Sequence, residues 1–154
     1  GEKLYRRSLY TFWRRIIAPT MFFDNASRQT CTVRSGRTNT PLHALATLND
    51  VVYVEAARTL AEQVLTSGVG GDRQRIDLVL NRAVGRPATK PESNVLLAGL
   101  VRSRRQFRQS PGDATLLISA GESNRDESLD PIEHASWTAL CLAVLNLDET
   151  LTRE

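Results

Sequence analysis

Apolar residues recur at spacings of three and four along almost the whole chain, and alternation with a period of two is nearly absent. That periodicity predicts amphipathic helices and no sheet. The first stripe, Tyr5, Leu9, Phe12, Trp13, Ile16 and Ile17, predicts a helix over about residues 4–17, with Arg6, Arg7, Arg14 and Arg15 between the apolar positions. Pro19 stops it. From Met21 to Asn39 the pattern gives way to small and polar residues, which reads as a long ordered loop anchored by Met21, Phe22 and Phe23.

Capping residues punctuate the rest of the chain. Thr40-Pro41 opens a helix, since Thr accepts from free helical N–H groups and Pro at the first position gives up a donor that has no partner there. The series Leu42, Leu45, Leu48 leads to Asn49-Asp50, where a cap signal predicts a bend or restart. Val51, Val54, Ala57, Leu60, Val64 and Leu65 then continue a helix to Ser67-Gly68. Gly68-Val69-Gly70-Gly71 is a turn rather than a phosphate loop, because no G-K-[ST] follows and no strand precedes it. Asp72 is the expected cap of a short helix carrying Ile76, Val79, Leu80 and Ala83, ended by Gly85 and Pro87. Thr89-Lys90-Pro91-Glu92 has the form of a capping box. It starts a helix with Leu96, Leu97, Leu100, Val101 and Phe107 that ends at Ser110-Pro111-Gly112. A short helix from Asp113 to Ser119 and a polar acidic loop from Gly121 to Leu129 follow. Asp130-Pro131-Ile132-Glu133 is a second capping signal, opening a last helix to about Leu147 with Ile132, Trp137, Leu140, Cys141, Val144 and Leu145 inward. The fold class expected is all-α, a bundle of five or six helices with a long N-terminal loop, forming a single domain over residues 1–154.

Composition agrees with a helical domain and excludes other classes. With 154 residues, 41% hydrophobic and 24% charged, the chain is neither a disordered tail nor a disulfide-dense miniprotein. No apolar run reaches the ~20 residues of a transmembrane helix. The net charge of +3 conceals a polarity along the chain. Residues 1–40 hold eight basic and two acidic residues, and residues 121–154 hold two basic and eight acidic, so the two ends attract. A nucleic-acid binder would more often carry one uncompensated basic face, so nucleic acid is disfavoured as a partner. Eighteen of the twenty cations are arginine, whose planar fork binds carboxylates bidentately.

Candidate chemistry is sparse. His43 and His134 stand alone on helices, outside any H-E-x-x-H pattern, and read as structural; His134 directly follows Glu133, which points the two apart. No metal site and no catalytic constellation is expected: there is no G-x-S-x-G elbow and no S-x-x-K set. Cys31 and Cys141 belong to no C-x-x-C or C-x-x-C-H pattern. They form either a long-range disulfide or two separately buried thiols. Arg102, Arg104, Arg105 and Arg108 read as a solvated helix face. The most unusual stretch, Cys31 to Pro41, gathers hydroxyls, an amide and two guanidinium groups ahead of a capped helix. Arg34, Arg37, Thr38 and Asn39, with Asp148 and Glu149, are the candidate ligand or docking residues. Pairing of Arg34 or Arg37 with Asp148 or Glu149 is the structural version of that expectation.

Several motifs together carry a resemblance. Arg7-Ser8-Leu9-Tyr10-Thr11-Phe12-Trp13-Arg14-Arg15, Phe23-Asp24, Cys31-Thr32-Val33-Arg34 and Arg37-Thr38-Asn39-Thr40-Pro41-Leu42 begin the series. Ala44-Leu45, Leu48-Asn49-Asp50, Glu55-Ala56-Ala57-Arg58, Gly85-Arg86-Pro87, Gly121-Glu122-Ser123 and Asn146-Leu147-Asp148-Glu149-Thr150 complete it. In this order they resemble the C-terminal domain of unknown function of planctomycete-type proteins that also carry a cytochrome-c-like domain. The resemblance implies the C-terminal part of an exported, multi-domain protein, periplasmic or at the cell surface. It implies haem elsewhere in the parent and no cofactor in this chain. Export would permit a Cys31–Cys141 disulfide. It supplies no catalytic residues. The function expected is a non-catalytic module docking on other domains of its parent. The alternative is an enzyme or binding domain for a polysaccharide or other periplasmic ligand.

Overall fold

A computed structural model of the chain describes residues 41–151. The helix expected over residues 4–17 and the loop after it lie outside the described residues. Among those described the fold is all-α, with seven helices and no strand. They are α1 (Pro41–Asn49), α2 (Val51–Leu65), α3 (Asp72–Val84), α4 (Lys90–Gln109), α5 (Pro111–Ile118), α6 (Pro131–Leu145) and α7 (Asp148–Leu151). No described helix is long and apolar enough to cross a membrane.

The caps explain most of the boundaries. Asp50 has an extended backbone and its carboxylate accepts from the Val52 N–H at 2.8 Å, so the expected restart separates α1 from α2. Gly85 closes α3 in the left-handed region at φ +84°, which an L side chain rarely adopts. Thr89 and Glu92 form the reciprocal box that opens α4. Asp130 caps α6 by accepting from the Glu133 N–H at 2.9 Å, but the Glu133 carboxylate turns away to an arginine instead of completing a box.

Three boundaries differ from expectation. Gly71, not Asp72, is the cap of α3; Asp72 is its first residue and its carboxylate is drawn to Arg104. α5 begins at Pro111 rather than Asp113, because Pro fits the first helical position without needing an N–H. The expected tail after Leu147 makes one further turn, α7, where the Thr150 hydroxyl donates to the Val144 carbonyl at 2.9 Å.

α6 is the axis of the molecule, packed against α2, α4 and α5. Its residues His134 to Thr138 are buried without interruption, so this stretch has no solvent face. A segment whose one formal charge is Glu133 suits that position. Ala57, Ala61 and Val64 of α2, Ile76, Val79 and Leu80 of α3, and Leu100 of α4 close on Trp137, Leu140, Cys141 and Val144. A second cluster joins Phe107, Ala114, Ile118 and Ala135. Each large aliphatic side chain so buried contributes about 1.5–3 kcal/mol. Four residues of the expected apolar stripes stay outside this core: Leu45, Leu48, Val51 and Val101 are exposed.

Candidate functional site

The buried charged residues among those described, Glu55 and Arg58, come from α2. Arg58 lies on the same stripe as Val54, Ala57, Ala61 and Val64 and is carried into the interior with them. A buried guanidinium needs partners to offset its lost hydration. It finds them in the loop before α6: Nη2 donates to the Ser123 carbonyl at 2.8 Å and to the Ser123 hydroxyl. The Ser123 N–H donates to Oε1 of Glu55 at 2.7 Å, and that same oxygen lies 3.7 Å from Arg58 Nη2. The Glu55-Ala56-Ala57-Arg58 and Gly121-Glu122-Ser123 motifs are thus two halves of one clamp.

His134 of α6 completes the cluster from the other side. Its Nε2 is 3.3 Å from the Arg58 carbonyl oxygen, which can only accept, so this partner assigns the ring proton to Nε2. Nδ1 is buried and has no hydrogen-bond partner among the described residues. Burial holds the His134 pKa below its ordinary value, and the charges of Arg58 and Arg125 act in the same direction. The carbonyl bond and Glu62 oppose them. The imidazole is therefore kept neutral. It makes no hydrogen bond to the Ser123 hydroxyl, which is held by a guanidinium that cannot serve as a base. The cluster has the chemistry of a structural tie and lacks a nucleophile–base pair.

Two further arginines are held in the same manner. Arg86 grips Glu92 at 2.8 and 2.9 Å and Glu149 at 2.6 and 2.8 Å, bidentate to each. Glu92 also accepts from the Thr89 N–H, so the box opening α4 and the first turn of α7 share one guanidinium. Arg86 and then the Thr89 N–H and hydroxyl hold Glu92 down to about 2; Arg86 likewise lowers Glu149. Arg104 of α4 pairs with Asp72 of α3 at 2.5 and 3.0 Å and with Glu133 of α6 at 2.7 to 3.0 Å. Its hydrogen bonds hold the Asp72 carboxyl below the usual range.

The residues singled out in the sequence divide accordingly. Cys31, Arg34, Arg37, Thr38 and Asn39 lie outside the described residues, as does the side chain of His43. Asp148 and Glu149 open α7, and Glu149 is bound to Arg86. Cys141 is fully buried in the main core, and burial pushes its thiol up. Arg104 is not part of a solvated face, because Asp72 and Glu133 approach it from two other helices. Glu133 and His134 do point apart, one toward Arg104 and the other toward Arg58. The end of α1 also meets the end of α6: the Thr47 hydroxyl donates to Oδ1 of Asn146 at 2.6 Å.

The chain matches the family model of PSD1, described as a protein of unknown function (DUF1553), over residues 1–100. The chain belongs to this PSD1 family. No curated protein and no solved structure matches it. The PSD1 match contains Glu55, Arg58, Asp72, Arg86 and Glu92, while Ser123, Glu133, His134 and Glu149 lie beyond it. Arg58–Ser123, Arg86–Glu149 and Arg104–Asp72 each join the matched stretch to a part of the chain that follows it. Among the described residues, Trp137, Leu140, Cys141 and Val144 from beyond the match complete the core formed with α2 and α3.

Proposed function

We propose that this chain is a non-catalytic module that docks on a neighbouring domain of an exported, cytochrome-c-associated protein of the planctomycete type. The observation that carries the reading is an apolar corner where α1 meets α2. Leu45, Leu48, Val51 and Val52 are all exposed there, Leu45 by 59% and Val52 by 55%. The Thr47–Asn146 hydrogen bond brings exposed Leu147 to the same end. Several large apolar side chains close together at the α1–α2 junction support the docking reading, since exposed apolar patches commonly serve as contact surfaces. Arg58, Arg86 and Arg104 are engaged with carboxylates of the chain itself, so at this corner apolar area and shape supply the recognition.

The wider setting rests on the family resemblance: export to the periplasm or cell surface, and haem carried by another part of the parent rather than by this chain. Docking through Arg34, Arg37, Thr38 and Asn39 beside Asp148 and Glu149 belongs to the same reading. Hydrogen exchange tests it, measured on the chain alone and with the other domains of its parent supplied in trans. The expected result is new protection over residues 34–52 and 147–154, removed by Val52→Glu. Unchanged exchange over both stretches would overturn it.

A further inference from the structure

The outward face of α4 changes character halfway along. On a helical wheel Val95, Ala98, Val101, Arg102, Arg105 and Arg108 fall within an arc of roughly 140°. Leu100 and Phe107 lie on the opposite side, in the core. All six outward residues are exposed, Val95 by 71% and Val101 by 62%. Asn94 falls in the same arc and accepts from Arg73, and beyond it the N-terminal half of the face is apolar while the C-terminal half carries three guanidinium groups. None of the three takes part in the ion pairs that occupy Arg58, Arg86 and Arg104. Where the halves meet, Val101, Arg104, Arg105, Arg108 and Gln109 line a concavity of about 500 Å³. Arg104 is already neutralised by Asp72 and Glu133, so the concavity offers Arg105 and Arg108 over an apolar wall.

We infer that this face of α4 binds an acidic amphipathic helix of a partner polypeptide. Its carboxylates would meet Arg102, Arg105 and Arg108, and its apolar residues would cover Val95, Ala98 and Val101. Three arguments select that partner. The guanidinium fork matches a carboxylate bidentately. The face is a straight stripe about 20 Å long, the reach of four helical turns. A nucleic-acid backbone would satisfy the arginines and leave both valines uncovered. The inference extends the docking reading to a second surface and names the chemistry of its partner.

The test is a backbone-amide NMR titration of the whole chain. The probe is a helical peptide of roughly 15 residues, with leucines along one half of a face and glutamates along the other. Its Glu→Gln counterpart, a single-stranded oligonucleotide and vesicles containing phosphatidylglycerol are the controls. Expected are shift changes confined to residues 94–109, affinity that falls as salt rises, and at least about tenfold weaker binding by Arg105→Gln/Arg108→Gln. Val101→Ser should weaken it further. All three positions are exposed, so circular dichroism should show the variants folded as the parent. Equal binding of the Gln peptide, equal binding by the double variant, no shift with the acidic peptide, or tighter binding of oligonucleotide or vesicles would each overturn the inference. The α1–α2 corner is read at residues 45–52, so failure at either surface is distinguishable from failure at the other.

Discussion

Gly121 is pressed against the side chain of Glu55, and the backbone there runs at φ +100°. A Cβ at this position would overlap the Glu55 carboxyl carbon and its neighbours. Two separate facts thus require glycine: the left-handed backbone and the absence of space. The backbone alone makes Gly121→Ala cost about 1–3 kcal/mol. Displacing Glu55 from the Ser123 N–H adds to that. Urea denaturation should show the full loss for Gly121→Ala in the parent chain, and a smaller added loss when Gly121→Ala is introduced into a Glu55→Ser chain, where the methyl has room.

Arg58 is the costliest polar residue to remove. Its guanidinium is buried, and its loss strands the Ser123 carbonyl and takes the nearby cation from the largely buried Glu55 carboxylate. Breaking one partner of a buried pair typically costs about 3–5 kcal/mol, and Arg58→Ala should fall in that range. Glu55→Gln should cost less, since its amide oxygen still accepts from Ser123. Matched chemical denaturation curves for the two variants give the order. Equal losses would mean that the Glu55 charge carries the clamp and that the packing and Ser123 bonds of Arg58 add nothing.

The helices were largely legible in the sequence because their signals are local. The Thr89–Glu92 box, the Asp50 restart and the Gly85 stop involve residues five or fewer positions apart, and each holds in the structure. The charge ties were not legible, since Arg58 and Ser123, or Arg86 and Glu149, meet only once the whole bundle has packed. One signal was available: an arginine on the stripe of Val54, Ala57, Ala61 and Val64 is misplaced unless a partner reaches it inside. Asp72 misled because a good capping residue can equally be an ion-pair partner, and Arg104 outcompetes the cap. Leu45, Val51 and Val101 fit the helical period but lie where no described helix covers them.

Acid should loosen the Arg86 clamp late. Glu92 is held at about 2 in the folded chain, against about 4.3 when unfolded. A depressed carboxylate contributes stability that is complete above the unfolded value and is lost as pH falls toward the folded one. The window is therefore about pH 4.5 down to 2, with Glu149 depressed in the same direction. Both carboxylates are open to solvent, so the slope in that window should be shallow and reduced by salt. Glu92→Gln should flatten it further. An unchanged acid limb in Glu92→Gln would place the acid sensitivity on other carboxylates.

His134 sets the other pH dependence, at milder acidity and from a buried site. Its folded pKa lies below the unfolded value of about 6.5, because burial disfavours the imidazolium and Arg58 and Arg125 repel it. Below that value the unfolded chain takes up a proton that the folded chain resists, so stability is complete above about pH 6.5 and declines as pH falls below it. Each unit of depression corresponds to about 1.4 kcal/mol once the pH has fallen past the folded value. Glu62 pulls the other way and limits the effect. His43 is the other histidine of the chain, so the measurement belongs in a His43→Gln background. There, stability in urea should fall between pH 7 and 5 with His134 present. It should be nearly level in His134→Gln, whose amide can still donate to the Arg58 carbonyl. A decline of equal size in both chains would remove His134 as its source.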